Sequence, residues 1–190
     1  MTDKKQEIFR CGKELFSSRG FRDTNVADIT KAAGVAAGTF YLYYTSKDSL
    51  FMEIFIEENE KLKKRIMEAV DLNGDPLSVI NKMIQMNYEG MNANPILKEW
   101  YNRDVFSRIE KKFREETGDS GGFMYDIFLE AIRKWQHEGK MRSDIDSKMI
   151  MAMFAALINI DTHKEEIGLQ YFPQVMNYIA EFILKGLTTA

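Results

Sequence analysis

Apolar side chains recur every three or four residues along most of the chain, and no stretch alternates β-branched with polar residues as a half-buried strand does. Ile8, Gly12, Leu15 and Phe16 share one face of an amphipathic helix. It ends at Arg19-Gly20, where glycine accepts a left-handed cap, and Phe21 follows as an apolar plug. A second helix opens at Thr24-Asn25, with Asn25 as N-cap, Asp28 in a capping-box-like position, and Ile29, Ala32 and Ala33 as the buried face. Gly34-Val35 makes a tight turn, and a short third helix covers about Ala37–Tyr43. Ser46, with Ser49 three residues on and Asp48 in the first turn, caps a long helix from about Lys47 to Val70. That helix carries Leu50, Phe51, Ile54, Phe55 and Leu62 on one side and a charged, solvated stretch at Glu57–Arg65. Asn73-Gly74-Asp75-Pro76 is a strong break. Beyond it the spacing predicts helices over about 76–92, 95–114, 122–138, 145–164 and 173–187. The predicted fold is all-α with about nine helices: a three-helix head over residues 1–47 and a helical body over 48–190.

Two short helices joined at a glycine turn form a helix-turn-helix unit, whose second helix enters a DNA major groove. Ala32, Ala33, Ala36, Ala37 and Gly38 are small, which lets the two helices cross closely and the second lie low in the groove. Gly38 and Thr39 at its head offer backbone N–H groups and a hydroxyl to phosphate. Phe40 and Tyr44 are expected to point inward, whereas Tyr41 and Tyr43 point out with apolar surface for thymine methyls and hydroxyls for phosphates. Lys47, at the start of the next helix, is placed to reach a backbone phosphate.

The stretch Phe16…Gly20-Phe21…Thr24-Asn25-Val26…Asp28-Ile29…Lys31-Ala32-Ala33-Gly34-Val35…Gly38-Thr39-Phe40-Tyr41…Tyr43-Tyr44…Ser46-Lys47-Asp48…Leu50 resembles the N-terminal domain of TetR-family regulators. The resemblance covers about the first 55 residues, and residues 56–190 carry no comparable signature. It implies a homodimeric, usually repressing regulator with a ligand-binding body. It also implies that Ala37–Tyr43 is the recognition helix and that Asn25, Gly38, Thr39, Tyr41, Tyr43 and Lys47 contact DNA. Three positions depart from the pattern. Ala36 stands where the family often has a capping serine, a loss of about 1 kcal/mol. Ala37 and Leu42 are apolar where relatives are often polar, so shape and phosphate contacts would carry much of the binding.

A net charge of −3 at first argues against a nucleic-acid partner, but its distribution does not: residues 1–47 carry +3 and the remainder −6. A basic head on an acidic body suits phosphate binding. Cys11 is the single cysteine, so no internal disulfide forms, consistent with a reducing compartment. The start, MTDKKQEIF, lacks a signal peptide's apolar region, and the longest apolar run, Met149–Ile158, has ten residues against the ~20 that cross a bilayer. A cytoplasmic protein with no membrane partner is expected.

In the body, the apolar run Met149–Ile158 must be buried on more than one side, and the last helix shows Val175, Met176, Ile179, Phe182 and Ile183 on one face. Two such helices from each subunit would make a four-helix dimer interface through Met149, Met153, Leu157, Val175, Ile179, Phe182 and Ile183. The middle helices are rich in methionine and aromatic residues, which suit an adaptable pocket. The candidates for an effector pocket are Met83, Asn87, Trp100, Phe106 and Phe128. His137 and His163 lack metal-ligand or nucleophile-base spacing, and no metal, cofactor or enzymatic activity is expected. The expected function is a ligand-responsive repressor that leaves a palindromic double-stranded operator when a small molecule binds. The alternative is a helical small-molecule-binding or enzymatic protein with a vestigial head.

Overall fold

The structure, a computed structural model, describes residues 3–102, 104–105, 108, 123–160, 167–168 and 170–188. The architecture is all-α: among the described residues the only extended pairing is an isolated bridge between Met141 and Thr188. The helices are α1 (Lys4–Arg19), α2 (Val26–Ala32), α3 (Ala37–Tyr43), α4 (Lys47–Ala69), α5 (Pro76–Ala93), α6 (Pro95–Lys98), α7 (Phe123–His137), α8 (Ser147–Ile160) and α9 (Phe172–Leu187), with a 3-10 turn at Glu99–Tyr101. They divide into two compact units, residues 1–65 with 87–117 and residues 66–86 with 118–190.

Short-range chemistry explains the boundaries in the first unit. Asp3 caps α1 by accepting from the Lys5 N–H at 2.9 Å, and the Gly20 N–H closes it on the Phe16 carbonyl at 2.9 Å. Asn25 accepts from the Asp28 N–H at 2.9 Å and starts α2. The α2–α3 turn requires Gly34, whose φ of 64° L side chains rarely adopt. It lets the Val35 N–H reach back to the Thr30 carbonyl at 3.0 Å. Ser46 and Ser49 form a reciprocal capping box, each backbone N–H donating to the other's hydroxyl at 3.1 Å.

Packing of the first unit centres on α4. Leu50, Phe51, Met52, Ile54, Phe55 and Leu62 are buried along its part of the unit. Gly12 on α1 permits the close approach of the two helices, since a Cβ there would lie 2.7 Å from Leu50 Cδ2. Phe16, Phe21 and Phe51 form an aromatic triad, with Phe51 edge-on to both partners at centroid distances of 5.1 and 4.9 Å. The stretch Glu57–Arg65 is more engaged than its charges suggest. Lys13 on α1 bridges Glu57 and Glu58 at 3.0 and 2.6 Å, and the Asn94 amide donates to Glu58 at 2.6 Å. Burial alone would raise the Glu58 carboxyl, but hydrogen bonds from Lys13, Lys61 and Asn94 outweigh it and hold the group below its usual range.

Two expectations are corrected here. Ala32 is exposed, and Ile29 and Thr30 form the buried side of α2 instead, the Thr30 hydroxyl being satisfied by the Ala27 carbonyl at 3.1 Å. The single helix expected over 95–114 is interrupted: α6 ends at Lys98, and Asn102 is extended after the 3-10 turn. Long-range contacts explain the break, because Trp100 stacks on Phe55 at 5.5 Å and Glu99 accepts from the Phe21 N–H at 3.0 Å. Residues 109–114 lie outside the described residues. The helix expected over 145–164 is described over Ser147–Ile160 only.

The second unit has its own core of Val79, Ile80, Phe128, Ala131, Ile132, Trp135, Met141, Ile150, Phe154, Leu184 and Leu187. Phe128 sits between Trp135 and Phe154, edge-on to each at 6.2 and 5.9 Å. The chain reverses after α7 at Gly139, and the Gln136 amide then holds the next segment through the carbonyls of Arg142 and Ile145 at 3.0 and 2.8 Å. The Arg142 N–H donates to the Leu187 carbonyl at 2.8 Å, which ties that segment to the end of α9.

Candidate nucleic-acid interface

The candidate recognition surface lies on α3. Its inner side is anchored by Phe40 and Tyr44, both buried, with ring centroids 5.7 Å apart. Burial, and secondarily the Glu53 carboxylate, push the Tyr44 phenol above its usual range, so it stays neutral. Anchoring these two residues turns the rest of the helix outward. Tyr41 is 59% exposed, Leu42 80% and Tyr43 42%. Large apolar side chains in solvent on one seven-residue helix make a candidate binding face.

Gly38 lies exposed on α3 and Thr39 is half-buried, its N–H donating to the Ala36 carbonyl at 2.9 Å. Ala36 supplies no side-chain cap although its backbone has the extended conformation of an N-cap. Asn25 is exposed at the head of α2, with its side-chain oxygen occupied by the Asp28 N–H.

Lys47 is differently placed from what its neighbours in sequence suggest. Its ammonium donates to the Thr24 and Phe21 carbonyls at 2.6 and 2.7 Å, approaches the Arg22 carbonyl at 3.5 Å, and stands 4.3 Å from the Phe21 ring centroid. Burial, with Arg108 nearby, pushes it below the usual lysine range.

Sequence reasoning missed three residues that hold this region. Glu99 takes the Phe21 N–H, Asp104 pairs with Arg22 at 2.9 Å, and Arg108 pairs with Asp48 at 2.8 Å while lying 5.2 Å from the Phe21 ring. Each acts across a sequence distance of 60 or more residues, so no local pattern reveals them. A small open cavity of about 210 Å³ lies among Phe21, Arg22, Lys47, Asn102, Asp104, Val105 and Arg108. It is smaller than the ~300–1,000 Å³ clefts that hold drug-sized ligands.

The effector-pocket candidates fall in different places. Met83 packs half-buried against the second unit's core and Phe128 belongs to that core. Asn87 is half-buried and Trp100 stacks on Phe55, both in the first unit. Phe106 lies outside the described residues, as does His163. Of the residues expected at a dimer interface, Met149 and Phe182 are exposed, and Met153, Val175, Ile179 and Ile183 are half-buried. Leu157 is already buried within its own unit. Tyr178, which periodicity left off the apolar face of α9, stacks on Phe182 at 6.1 Å and is itself exposed. Among the described residues no three His, Cys, Asp or Glu side chains come together as a metal site. No described helix is long and apolar enough to cross a membrane.

Comparison with known proteins fits this geometry. Residues 8–54, which run from within α1 into the first third of α4, match the family described as bacterial regulatory proteins, tetR family. The HTH-type transcriptional repressor KstR2 of Rhodococcus jostii is 24% identical over 146 residues, covering 77% of this chain and 72% of the relative. The transcriptional regulator UidR of Escherichia coli is 20% identical, covering 75% and 71%. Among solved structures, Thermus thermophilus FadR, a TetR-family repressor in complex with lauroyl-CoA, superposes with a TM-score of 0.65 at 22% identity, covering 95% of this chain and 91% of that one. A TetR-family regulator from Shewanella sp. PV-4 gives 0.63 at 20% identity, covering 99% and 100%.

Proposed function

We propose that the chain, whose residues 8–54 match the tetR family of bacterial regulatory proteins, is a homodimeric transcriptional repressor of that family that reads a palindromic operator through α3. A small molecule bound in the helical body releases it. The observation that carries this reading is the outward set Tyr41, Leu42 and Tyr43 on a helix anchored by buried Phe40 and Tyr44. Asn25, Gly38 and Thr39 complete the DNA-facing set of the head, residues 1–47. In a two-fold dimer the two heads meet two half-sites.

Coupling of effector and operator runs through α4, which carries the head on Leu50, Phe51 and Ile54. The segment from Glu99 to Arg108 gives a second grip on the same head. A ligand that favours one head separation weakens DNA binding, and DNA weakens ligand binding by the same factor. Lauroyl-CoA, the ligand of the Thermus protein, is the first effector to try. Ligand and operator binding without mutual effect would rule this coupling out.

The test of the function is a gel shift with the DNA flanking the protein's own gene. Sequence-specific binding is expected, and Tyr41→Ala is expected to weaken it at least about tenfold, ~1.4 kcal/mol. One observation favours a second reading: α3 carries no charged or amide side chain to read bases. Weak binding that is equal for every sequence would favour a small-molecule-binding protein whose head is vestigial.

A further inference from the structure

Lys47 stands at the first residue of α4, where a flexible cation next to a DNA-reading head invites a phosphate contact. The structure gives its ammonium other work. An ammonium has three donors. The two shortest bonds go to the carbonyls of Thr24 and Phe21 at 2.6 and 2.7 Å, with the Arg22 carbonyl at 3.5 Å on the third side. The Phe21 ring covers it, with the ammonium 4.3 Å from the ring centroid. These carbonyls belong to the turn that leaves α1 at Gly20 and enters α2 at Val26, so they have no helix of their own to satisfy them. The same turn is closed by the Thr24 hydroxyl on the Gly20 carbonyl at 2.8 Å.

We propose that Lys47 is a positioning residue for operator binding rather than a phosphate contact: its ammonium fastens the start of α4 to the α1–α2 turn and thereby sets the angle at which the α2–α3 pair is presented. The proposal rests on the DNA-binding reading above. Pulling the ammonium away to a phosphate would leave the Phe21 and Thr24 carbonyls without their donor. DNA therefore gains the fixed geometry of α3, not the charge of Lys47. Asp48, the next residue, is held by Arg108 at 2.8 Å, so both of the first two residues of α4 are engaged by groups of the protein itself.

The test uses the full chain and two duplexes: one selected by the wild-type protein from a random pool, and one of unselected sequence. Affinity is measured between 50 and 200 mM salt for the wild type, Lys47→Met and Lys47→Arg. Lys47→Met keeps the stem and removes the ammonium. It is expected to lower affinity for the selected duplex about tenfold or more, leave the unselected duplex nearly unchanged, and keep the wild-type slope of log affinity against log salt. Lys47→Arg, which can still donate to the carbonyls, is expected to recover part of the loss. A slope smaller by about 0.9 for each phosphate contact removed, with both duplexes weakened alike, would overturn the proposal while leaving the DNA-binding reading intact. Wild-type protein that binds both duplexes equally would sink that reading and the proposal with it. A second measurement is independent of the variants' folding. In the wild-type protein bound to the selected duplex, the Lys47 ammonium resonance should keep its correlations to the Phe21 and Thr24 carbonyl carbons. Their replacement by coupling to a phosphorus nucleus would overturn the proposal.

Discussion

Among the described residues, α3 and α9 each leave more than one large apolar side chain in solvent, and they do so for different reasons. On α3 the exposed set is Tyr41, Leu42 and Tyr43, three consecutive residues on a helix too short to bury more than Phe40 on its far side. On α9 the exposed set is Tyr178 and Phe182, one turn apart and stacked at 6.1 Å, 56% and 66% exposed. That helix has a second apolar side, Ala180, Leu184 and Leu187, buried within its own unit. The surroundings of α3 are a glycine turn, a capped neighbour and small residues, a setting that suits the proposed entry into a groove. The α9 pair stands on a helix of 16 residues whose other side is buried, and such an exposed aromatic pair suits contact with another protein surface. Exposed apolar area alone does not distinguish a nucleic-acid face from a protein face. The size of the helix and the polarity and bulk of its neighbours do.

That contrast breaks most visibly at Phe182. Replacing it with aspartate puts a charge at the centre of the proposed dimer face, where loss of an aromatic anchor costs about 2 kcal/mol or more, roughly thirtyfold in the dimer constant. Sedimentation should show the dimer giving way to monomer, and operator affinity should fall with it because one head meets only one half-site. Thermal stability of the monomer should hardly change, since the ring is already exposed in its own unit. A dimer that survives Phe182→Asp would place the partner surface elsewhere.

What the sequence makes legible follows the range of the interactions involved. The ends of α1, α2, α3 and the start of α4 are set by groups no more than five residues apart: Gly20 on Phe16, Asn25 on Asp28, Val35 on Thr30, Ser46 on Ser49. Those were readable one helix at a time, and so was the inward turn of Phe40 and Tyr44. The interruption after Lys98 was not, because Trp100 and Glu99 are drawn to Phe55 and Phe21 from across the unit. The orientation of Lys47 was not legible either, since its carbonyl partners lie 23 to 26 residues away. On α9 the periodicity finds the apolar face but does not divide it between a buried side and an exposed one. The division depends on Leu184 and Leu187 joining the core of the second unit, where α9 packs on α8.

A finer contrast concerns Leu42, at 80% the most exposed large apolar side chain among the described residues. Leu42→Ala should leave folding stability within about 0.5 kcal/mol of the wild type, as expected for a surface position. Affinity for the selected operator should nonetheless drop about tenfold, ~1.4 kcal/mol, if the side chain lies against thymine methyls. Thermal melting and gel shifts on the same preparation check both halves. A stability loss well above that range with unchanged affinity would make Leu42 a packing residue and remove it from the reading face.

The smallest effect separates the two ends of the helix-turn-helix. Ser46 caps α4 through its hydroxyl, whereas Ala36, with φ −70° and ψ 151°, already has a capping backbone and lacks the oxygen. Ala36→Ser restores that oxygen without asking the chain to move. Because the residue is exposed, the hydroxyl meets no packed neighbour. The gain should be about 1 kcal/mol of stability in the head, the usual value of a serine N-cap over alanine. In a chain of this size that corresponds to a rise of roughly 2–4 °C in the melting midpoint. If the midpoint rises and operator affinity is kept, the missing cap is a plain local weakness of α3. If the midpoint rises while affinity falls, the uncapped N–H groups at the start of α3 are being used by the DNA, and stability of the head and reading by the head compete for the same donors.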